Sequence, residues 1–296
     1  MRLSLPSPAK LNLFLAITGR RADGFHDLVS VATPVAFGDD LVAELREGPV
    51  ADGPAFTLTC DDPAVPVDGS NLILKAAAAF AEATGWGGRV AFHLTKRTPM
   101  GAGLGGGSSN ATTALQALNT LAGRPLEAAA LAALAAQIGS DCVLFLHGGP
   151  VVMRGRGERI APVADHGRLV GRDVLIFKPG FAIATAWAYG RLAAEQAYLP
   201  AAEAEARLAA WLGSAEAPAE DLLLNTMEGP AFAKFPALPL LLERLRSEFG
   251  LAARMSGSGS ACFALLTAAT PRDRVEAVIR EAWGRDVFLT ATRIVG

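Results

Sequence analysis

Pro99-Met100-Gly101-Ala102-Gly103-Leu104-Gly105-Gly106-Gly107-Ser108-Ser109-Asn110 decides how this chain is read. Five of its glycines fall within seven residues, between an alternating run that ends near Lys96 and an alanine- and leucine-rich helical run from Ser109. Glycine lets backbone N–H groups converge at φ values that other residues avoid. The helix behind the loop adds its unpaired first-turn N–H groups and the positive end of its dipole. Together these predict a cradle for an anion, of which phosphate is the common case.

Rival phosphate-loop patterns fit less well. A Walker A loop ends in Gly-Lys-Ser/Thr, and no lysine stands here. Gly101-x-Gly103-x-x-Gly106 matches the dinucleotide fingerprint formally. That fingerprint needs an acidic residue ending a second strand about 20 residues on. Glu127 has the spacing, yet it follows Arg124-Pro125 and opens a helical run. A protein-kinase glycine loop leads into a strand, whereas this one leads into a helix. The plain alternative is a flexible linker, which would lack the flanking Pro-Met and the apolar-periodic helix.

Outward from the loop, 296 residues are enough for two domains or one large one. The 27 Lys+Arg nearly balance the 29 Asp+Glu without a basic block, which argues against nucleic acid as a partner. Cys60, Cys142 and Cys262 are scattered and lack metal spacing, as free thiols in a reducing compartment would be. The first residues are strand-like with no apolar signal core, and no run approaches the ~20 apolar residues of a membrane span. The expectation is a cytoplasmic, globular protein with no membrane partner.

Ala9 to Ile17 alternates like a strand, with Leu11, Leu13, Leu15 and Ile17 on one face and Lys10, Asn12, Phe14 and Ala16 on the other. Lys10 and Asn12 project side by side, either toward a site or from the solvated face of an edge strand. Arg20 to Gly24 reads as a turn that delivers Phe25 and His26 to a strand from Leu28 to Val35. Strands over Asp40–Arg46 and Ala55–Cys60, separated by Gly-Pro-Asp turns, and a helix from Asn71 to Ala83 follow. Arg89 to Lys96 then feeds the loop. After helices at Ser109–Leu121 and Leu126–Ile138, Gly139-Ser140-Asp141 precedes an apolar run, and Asp141 alone reads as a helix cap. Val151 to Arg172 reads as charged, glycine-rich loop, and the domain boundary is placed there: 1–160 and 161–296. From Asp173 on, strand, helices, strand, strand, helix, strand suggest a ferredoxin-like α+β unit, with Ser256-Gly257-Ser258-Gly259-Ser260 as a hairpin link or a second backbone approach to ligand.

Pro8-Ala9-Lys10-Leu11-Asn12-Leu13, Pro99 through Asn110, and Met255 through Ser260 resemble the three motifs of the GHMP small-molecule kinases. Arg21 to His26, Gly139-Ser140-Asp141 and Lys178-Pro179-Gly180 are similar to the branch that acts on 4-diphosphocytidyl-2-C-methyl-D-erythritol. The resemblance implies an α+β, two-domain fold: an N-terminal ATP domain of the ribosomal protein S5 domain 2-like type and a C-terminal ferredoxin-like domain. It implies phosphorylation of that substrate's 2-hydroxyl, in non-mevalonate isoprenoid synthesis. Asp141 would be the general base and Lys10 its neighbour, stabilising developing charge. The backbone of Pro99, Met100, Gly101, Ala102, Gly103, Leu104, Gly105, Gly106, Gly107, Ser108 and Ser109 would hold the triphosphate. Asn71 and Lys96 match positions near the adenine. Phe25 and Tyr189 would sandwich the cytosine, His26 would read its edge, and Asn12 and Thr185 would contact substrate.

ATP is the implied co-substrate and Mg2+ the implied ion, with no acidic ligand evident and Ser108 the candidate hydroxyl. The partner is a small molecule carrying cytidine diphosphate, and the protein is expected as a monomer or weak homodimer. Departures from the pattern are Cys142-Val143, Ala184, Ala186, Phe25 for a frequent tyrosine, and Asn225-Thr226-Met227-Glu228, which receives no catalytic role. A GHMP kinase for another alcohol, of homoserine or mevalonate type, and a catalytically silent nucleotide-binding relative stay open.

Overall fold

The structure, a computed structural model, describes residues 1–46, 55–164 and 167–296. The turns expected after Arg46 therefore lie outside the described residues. Contacts divide the chain into two compact units that do not follow chain order. One comprises Met1–Ala9, Phe37–Thr98 and Gly105–His147; the other comprises Lys10–Ala36, Pro99–Leu104 and Gly148–Gly296.

Two long strands, β1 (Arg2–Arg20) and β2 (His26–Arg46), contribute to both units. In the first unit the far end of β2 pairs antiparallel with β4 (Arg89–Thr95), from Asp40↔Thr95 to Arg46↔Arg89. β4 in turn pairs parallel with β3 (Phe56–Cys60), and helix α1 (Leu72–Thr84) makes the crossover. Parallel neighbours cannot be joined by a tight hairpin, so an intervening helix is required. Helices α2 (Gly106–Leu121) and α3 (Ala128–Ile138) and a 3-10 turn at Val143–Leu146 complete the unit. Ile73, Phe80, Phe92, Leu115 and Leu118 are fully buried in it. The apolar stripe expected on α2 is seen in Ala111, Ala114, Leu115 and Leu118, all sealed from solvent.

In the second unit β1 lies between β2 and the two-residue strand β8 (Leu224–Asn225), which runs parallel to it with Leu15 opposite Asn225. Val151–Gly155 (β5) pairs with β2 and with Arg159–Pro162 (β6). The charged loop expected from Val151 is thus, over its first part, a hairpin. Val151, Val152 and Met153 are buried, and burial of those three outweighs the loop-like composition that follows.

The remaining strands form a separate four-stranded antiparallel sheet. β7 (Asp173–Lys178), β9 (Ala253–Met255), β10 (Cys262–Leu265) and β11 (Phe288–Arg293) lie in the order β11-β7-β10-β9. Helices α4 (Thr185–Glu195), α5 (Ala201–Leu212), α6 (Glu228–Lys234) and α7 (Ala237–Phe249) connect β7 to β9, and α8 (Arg272–Trp283) connects β10 to β11. That order is the one a ferredoxin-like βαββαβ unit takes. Its core draws Phe177, Leu192, Leu241, Leu245, Met255 and Ile279 together.

Three local readings change. The strands expected at Leu28–Val35 and Asp40–Arg46 are one strand, because Ala36 to Asp39 stays extended. Helix α2 starts at Gly106, three residues before Ser109, since Gly105 adopts the left-handed conformation and turns the chain into the helix at once. The solvated edge strand is also set aside for β1: Lys10 is 4 % and Asn12 7 % exposed, so both faces of the strand are covered.

Candidate active site

In the first unit the start of α2 gathers several of the residues singled out above. Its N-cap is Gly105 at φ 69°, with no side-chain cap and no acidic residue in the first turn. The first N–H groups of α2 therefore have no carboxylate neighbour in that turn, the electrostatic condition for receiving an anion. A Cβ on Gly106 would lie 2.9 Å from Lys96 Nζ, and one on Gly107 3.6 Å from Leu72, the residue after Asn71. Asn71 caps α1: its Oδ1 accepts from Ile73 N at 2.9 Å and its Nδ2 donates to the Pro66 carbonyl at 2.7 Å. Lys96 forms a buried ion pair with Asp39 and donates to Asn110 Oδ1 at 3.3 Å. Lys96 thus stands at the start of α2 and Asn71 one residue before the Leu72 that touches it, each already engaged with the protein.

Asp141 belongs to the same unit. The cap position of the following 3-10 turn falls on Cys142, so Asp141 is not that turn's cap residue. The turn is tied to α2 through Thr112, whose hydroxyl donates to the Cys142 carbonyl at 2.8 Å and to the Ser108 carbonyl at 3.0 Å. A Cβ on Gly139 would lie 3.7 Å from Ser108 Oγ. Burial pushes the Cys142 thiol up to about 11, which keeps it protonated and inert beside the acid.

Asp39 escaped the sequence reading. It is 1 % exposed and accepts from Arg97 N (2.8 Å), Thr98 N (2.7 Å) and Asn110 Nδ2 (2.8 Å) besides its pair with Lys96. One carboxylate thereby ties the peptide before the glycine loop to the helix after it. The only signal in the sequence was an Asp-Asp pair, which reads as a strand end.

In the second unit the Lys10 ammonium donates to Asn12 Oδ1 at 2.6 Å and to the Gly103 carbonyl at 2.8 Å. Lys10 N donates to the Leu104 carbonyl at 2.9 Å, so the loop lies along β1. The opposite side of the loop meets the turn after β9. Ala261 N donates to the Ala102 carbonyl at 3.0 Å, and Ser256 Oγ donates to the Gly103 carbonyl at 3.1 Å while accepting from Asn12 N at 3.3 Å. Gly103 has φ 76°, and a Cβ there would lie 2.1 Å from the Ser256 carbonyl. Only glycine fits. The serine-glycine turn therefore does more than link β9 to β10: it packs against the glycine loop.

The substrate candidates occupy this unit too. Asp23 accepts from Phe25 N at 3.1 Å, and Arg21 bonds both Asp23 and Asp27, which shapes the turn that presents Phe25. The Phe25 ring is 51 % exposed, with the Arg156 guanidinium 4.7 Å above it. His26 packs against Tyr189 with ring centroids 5.0 Å apart, so these two are brought together. Burial, and secondarily the charge of Arg20, holds the His26 imidazole below its ordinary value. Its Nε2 is sealed from solvent without a hydrogen-bond partner among the described residues. Thr185 Oγ1 lies 3.0 Å from Ser258 Oγ, at the serine-glycine turn.

A glycine loop laid against a buried lysine, a helix start with no side-chain cap and a ferredoxin-like sheet together describe a small-molecule kinase. Family models agree: the GHMP kinases N terminal domain matches residues 71–149 and the GHMP kinases C terminal domain residues 201–285. The chain belongs to the GHMP kinases. Among its relatives, the 4-diphosphocytidyl-2-C-methyl-D-erythritol kinase of Nitratidesulfovibrio vulgaris (strain DP4) is 37 % identical over 292 residues, 96 % of each chain. The enzyme of that name from Synechococcus sp. (strain CC9311) is 35 % identical over 295 residues, 95 % of this chain and 92 % of its own. A crystal structure of 4-(cytidine 5'-diphospho)-2C-methyl-D-erythritol kinase superposes with a TM-score of 0.76 at 37 % identity, covering 99 % of this chain and 100 % of the other.

Proposed function

We propose that the protein transfers the terminal phosphoryl group of ATP to the 2-hydroxyl of 4-diphosphocytidyl-2-C-methyl-D-erythritol, in non-mevalonate isoprenoid synthesis. The observation that carries this reading is the Lys10 ammonium, buried in β1 and drawn to within 2.8 Å of the Gly103 carbonyl. A cation fixed onto the loop is where charge on a transferring phosphoryl group needs it.

In this reading the amides from Pro99 to Ser109 take the triphosphate, with Asn71 and Lys96 on the adenine side. Asp141 accepts the proton of the 2-hydroxyl. The hydroxyl oxygen then bonds to the γ-phosphorus, the bond to the β-phosphate oxygen breaks, and ADP departs. Lys10 stabilises the charge that builds between them. Phe25 and Tyr189 stack on the base, His26 reads its edge, and Asn12 and Thr185 hold the remainder of the substrate. Residues 1–160 carry nucleotide and residues 161–296 help enclose substrate. Among the described residues no three His, Cys, Asp or Glu side chains stand together, so Mg2+ would be carried by the triphosphate, with Ser108 as the hydroxyl at hand. Three free thiols agree with a reducing compartment.

The test is ADP release against cytidylylated methylerythritol, homoserine and mevalonate, with CDP and UDP as competitors. The cytidylylated alcohol should turn over at least 100-fold faster, and CDP should inhibit more strongly than UDP, since the lost edge contacts are worth roughly 1–3 kcal/mol. Equal turnover of an alcohol without a base would overturn the substrate, and absence of ADP release with all three would overturn the kinase.

A further inference from the structure

Asn225 and Glu228, which the reaction outlined above does not use, converge on one peptide. Asn225 closes β8 opposite Leu15 and is 6 % exposed. Its Nδ2 donates to the carbonyls of Met255 (2.7 Å) and Gly257 (2.9 Å), and its Oδ1 accepts from Met227 N (2.9 Å). Glu228, 8 % exposed, accepts from Met255 N at 2.9 Å and from the Arg254 guanidinium at 3.1 Å. The backbone from Met255 to Gly257 is thus held from both its N–H and its carbonyl sides.

The gripped peptide faces the catalytic lysine. A Cβ on Gly257 would lie 3.1 Å from the Gly103 carbonyl, 3.2 Å from Lys10 Nζ and 3.3 Å from Asn12 Oδ1. The turn does not need Asn225 to close, because Ser256 N already donates to the Ala261 carbonyl and Gly259 N to the Ser256 carbonyl. What Asn225 adds is registry: it fixes the turn to β8, which is itself in register with β1, the strand that carries Lys10 and Asn12.

We propose that Asn225, backed by Glu228, is a positioning residue for phosphoryl transfer, holding Gly257 against the Lys10 ammonium so that the amine stays on the loop carbonyl. The proposal rests on the kinase reading, and turnover by the unaltered protein settles that reading before any variant is measured. Asn225→Ala should lower kcat on the order of 10- to 100-fold, as an ångström-scale misplacement does, with both KM values within about threefold. Single-turnover transfer from labelled ATP then separates positioning from bulk stability. Lys10→Ala with Asn225→Ala should be no more than about threefold slower than Lys10→Ala alone, because a residue acting through Lys10 has nothing left to position.

Unchanged kcat, an effect confined to KM, or a double variant slowed by the full single-variant factor would each overturn the proposal. Should Asn225→Ala fail to fold, Asn225→Asp serves under the same criteria, since it keeps the acceptor for Met227 N and loses both donors. If neither folds, Asn225 is a structural residue and the proposal falls.

Discussion

Alanine at position 103 tests whether the glycine loop is held in one place by the serine-glycine turn. Gly103→Ala asks an L residue to adopt φ 76°, which costs about 1 kcal/mol where the strain is not relieved. The larger effect is steric. The new Cβ would stand 2.1 Å from the Ser256 carbonyl and 3.0 Å from Gly259 N, where ordinary contacts begin at 3.4 Å. More than an ångström must come from backbone movement, because both neighbours are main-chain atoms. Overpacking of this kind costs about 1–3 kcal/mol, so the total penalty is roughly 2–4 kcal/mol. That is less than the ~5–15 kcal/mol of a folded protein, and the variant should fold with Tm lowered by roughly 3–6 °C.

Activity should suffer more than stability. The loop that moves carries the Gly103 carbonyl on which Lys10 rests, and a 1 Å displacement at a reacting centre costs about 100-fold in kcat. Steady-state ADP release and a thermal melt read the two effects. Gly69→Ala is the control, since position 69 has open space around it and no left-handed backbone. Wild-type kcat in Gly103→Ala, or an equal loss in the Gly69 control, would refute the reasoning.

Asp141→Ala should lower kcat by about 10²- to 10⁴-fold while ATP binding, read by calorimetry, persists; near-normal turnover would remove Asp141 as the base. Glu228 supplies a pH test. Burial holds its carboxyl above the ordinary value, so the folded protein keeps that proton to higher pH than the unfolded chain. Stability linked to this group is therefore fully present below the unfolded value and is lost as pH rises toward the raised folded one. The Tm of the unaltered protein minus that of Glu228→Gln should fall as pH rises from about 4.5 and then level; a difference independent of pH would show that the carboxyl is not destabilised by burial.

What the sequence disclosed follows from the range of each interaction. The glycine loop, the Asn71 cap and the order of strands and helices after Asp173 are written in adjacent residues, where turn chemistry and periodicity act. The hairpin at Val151–Pro162 was hidden by composition, since its charged turn looks like loop until Val151, Val152 and Met153 are seen to be buried. Asp39 was hidden for a different reason, and Asn225, though noted as a departure from the family pattern, gave no sign of its contacts. The partners of Asp39 lie 57 to 71 residues away in the chain, and the two carbonyls that Asn225 holds lie 30 and 32 away, so no local window holds both ends of those contacts.

Lys10 shows how burial decides what alternation leaves open. A lysine and an asparagine two residues apart on a strand read equally as a solvated edge or as a site. On an edge strand the ammonium would keep its water, and its geometry would carry no information. With Lys10 4 % exposed, that water is mostly gone and must be replaced by fixed acceptors. Two of them, Asn12 Oδ1 and the Gly103 carbonyl, are neutral. Held by these acceptors, the ammonium has one position against the glycine loop rather than the many that a solvated lysine samples. Burial therefore makes Lys10 a fixed charge at the loop, and Asn12, Ser256 and Gly257 lie around it to keep it there.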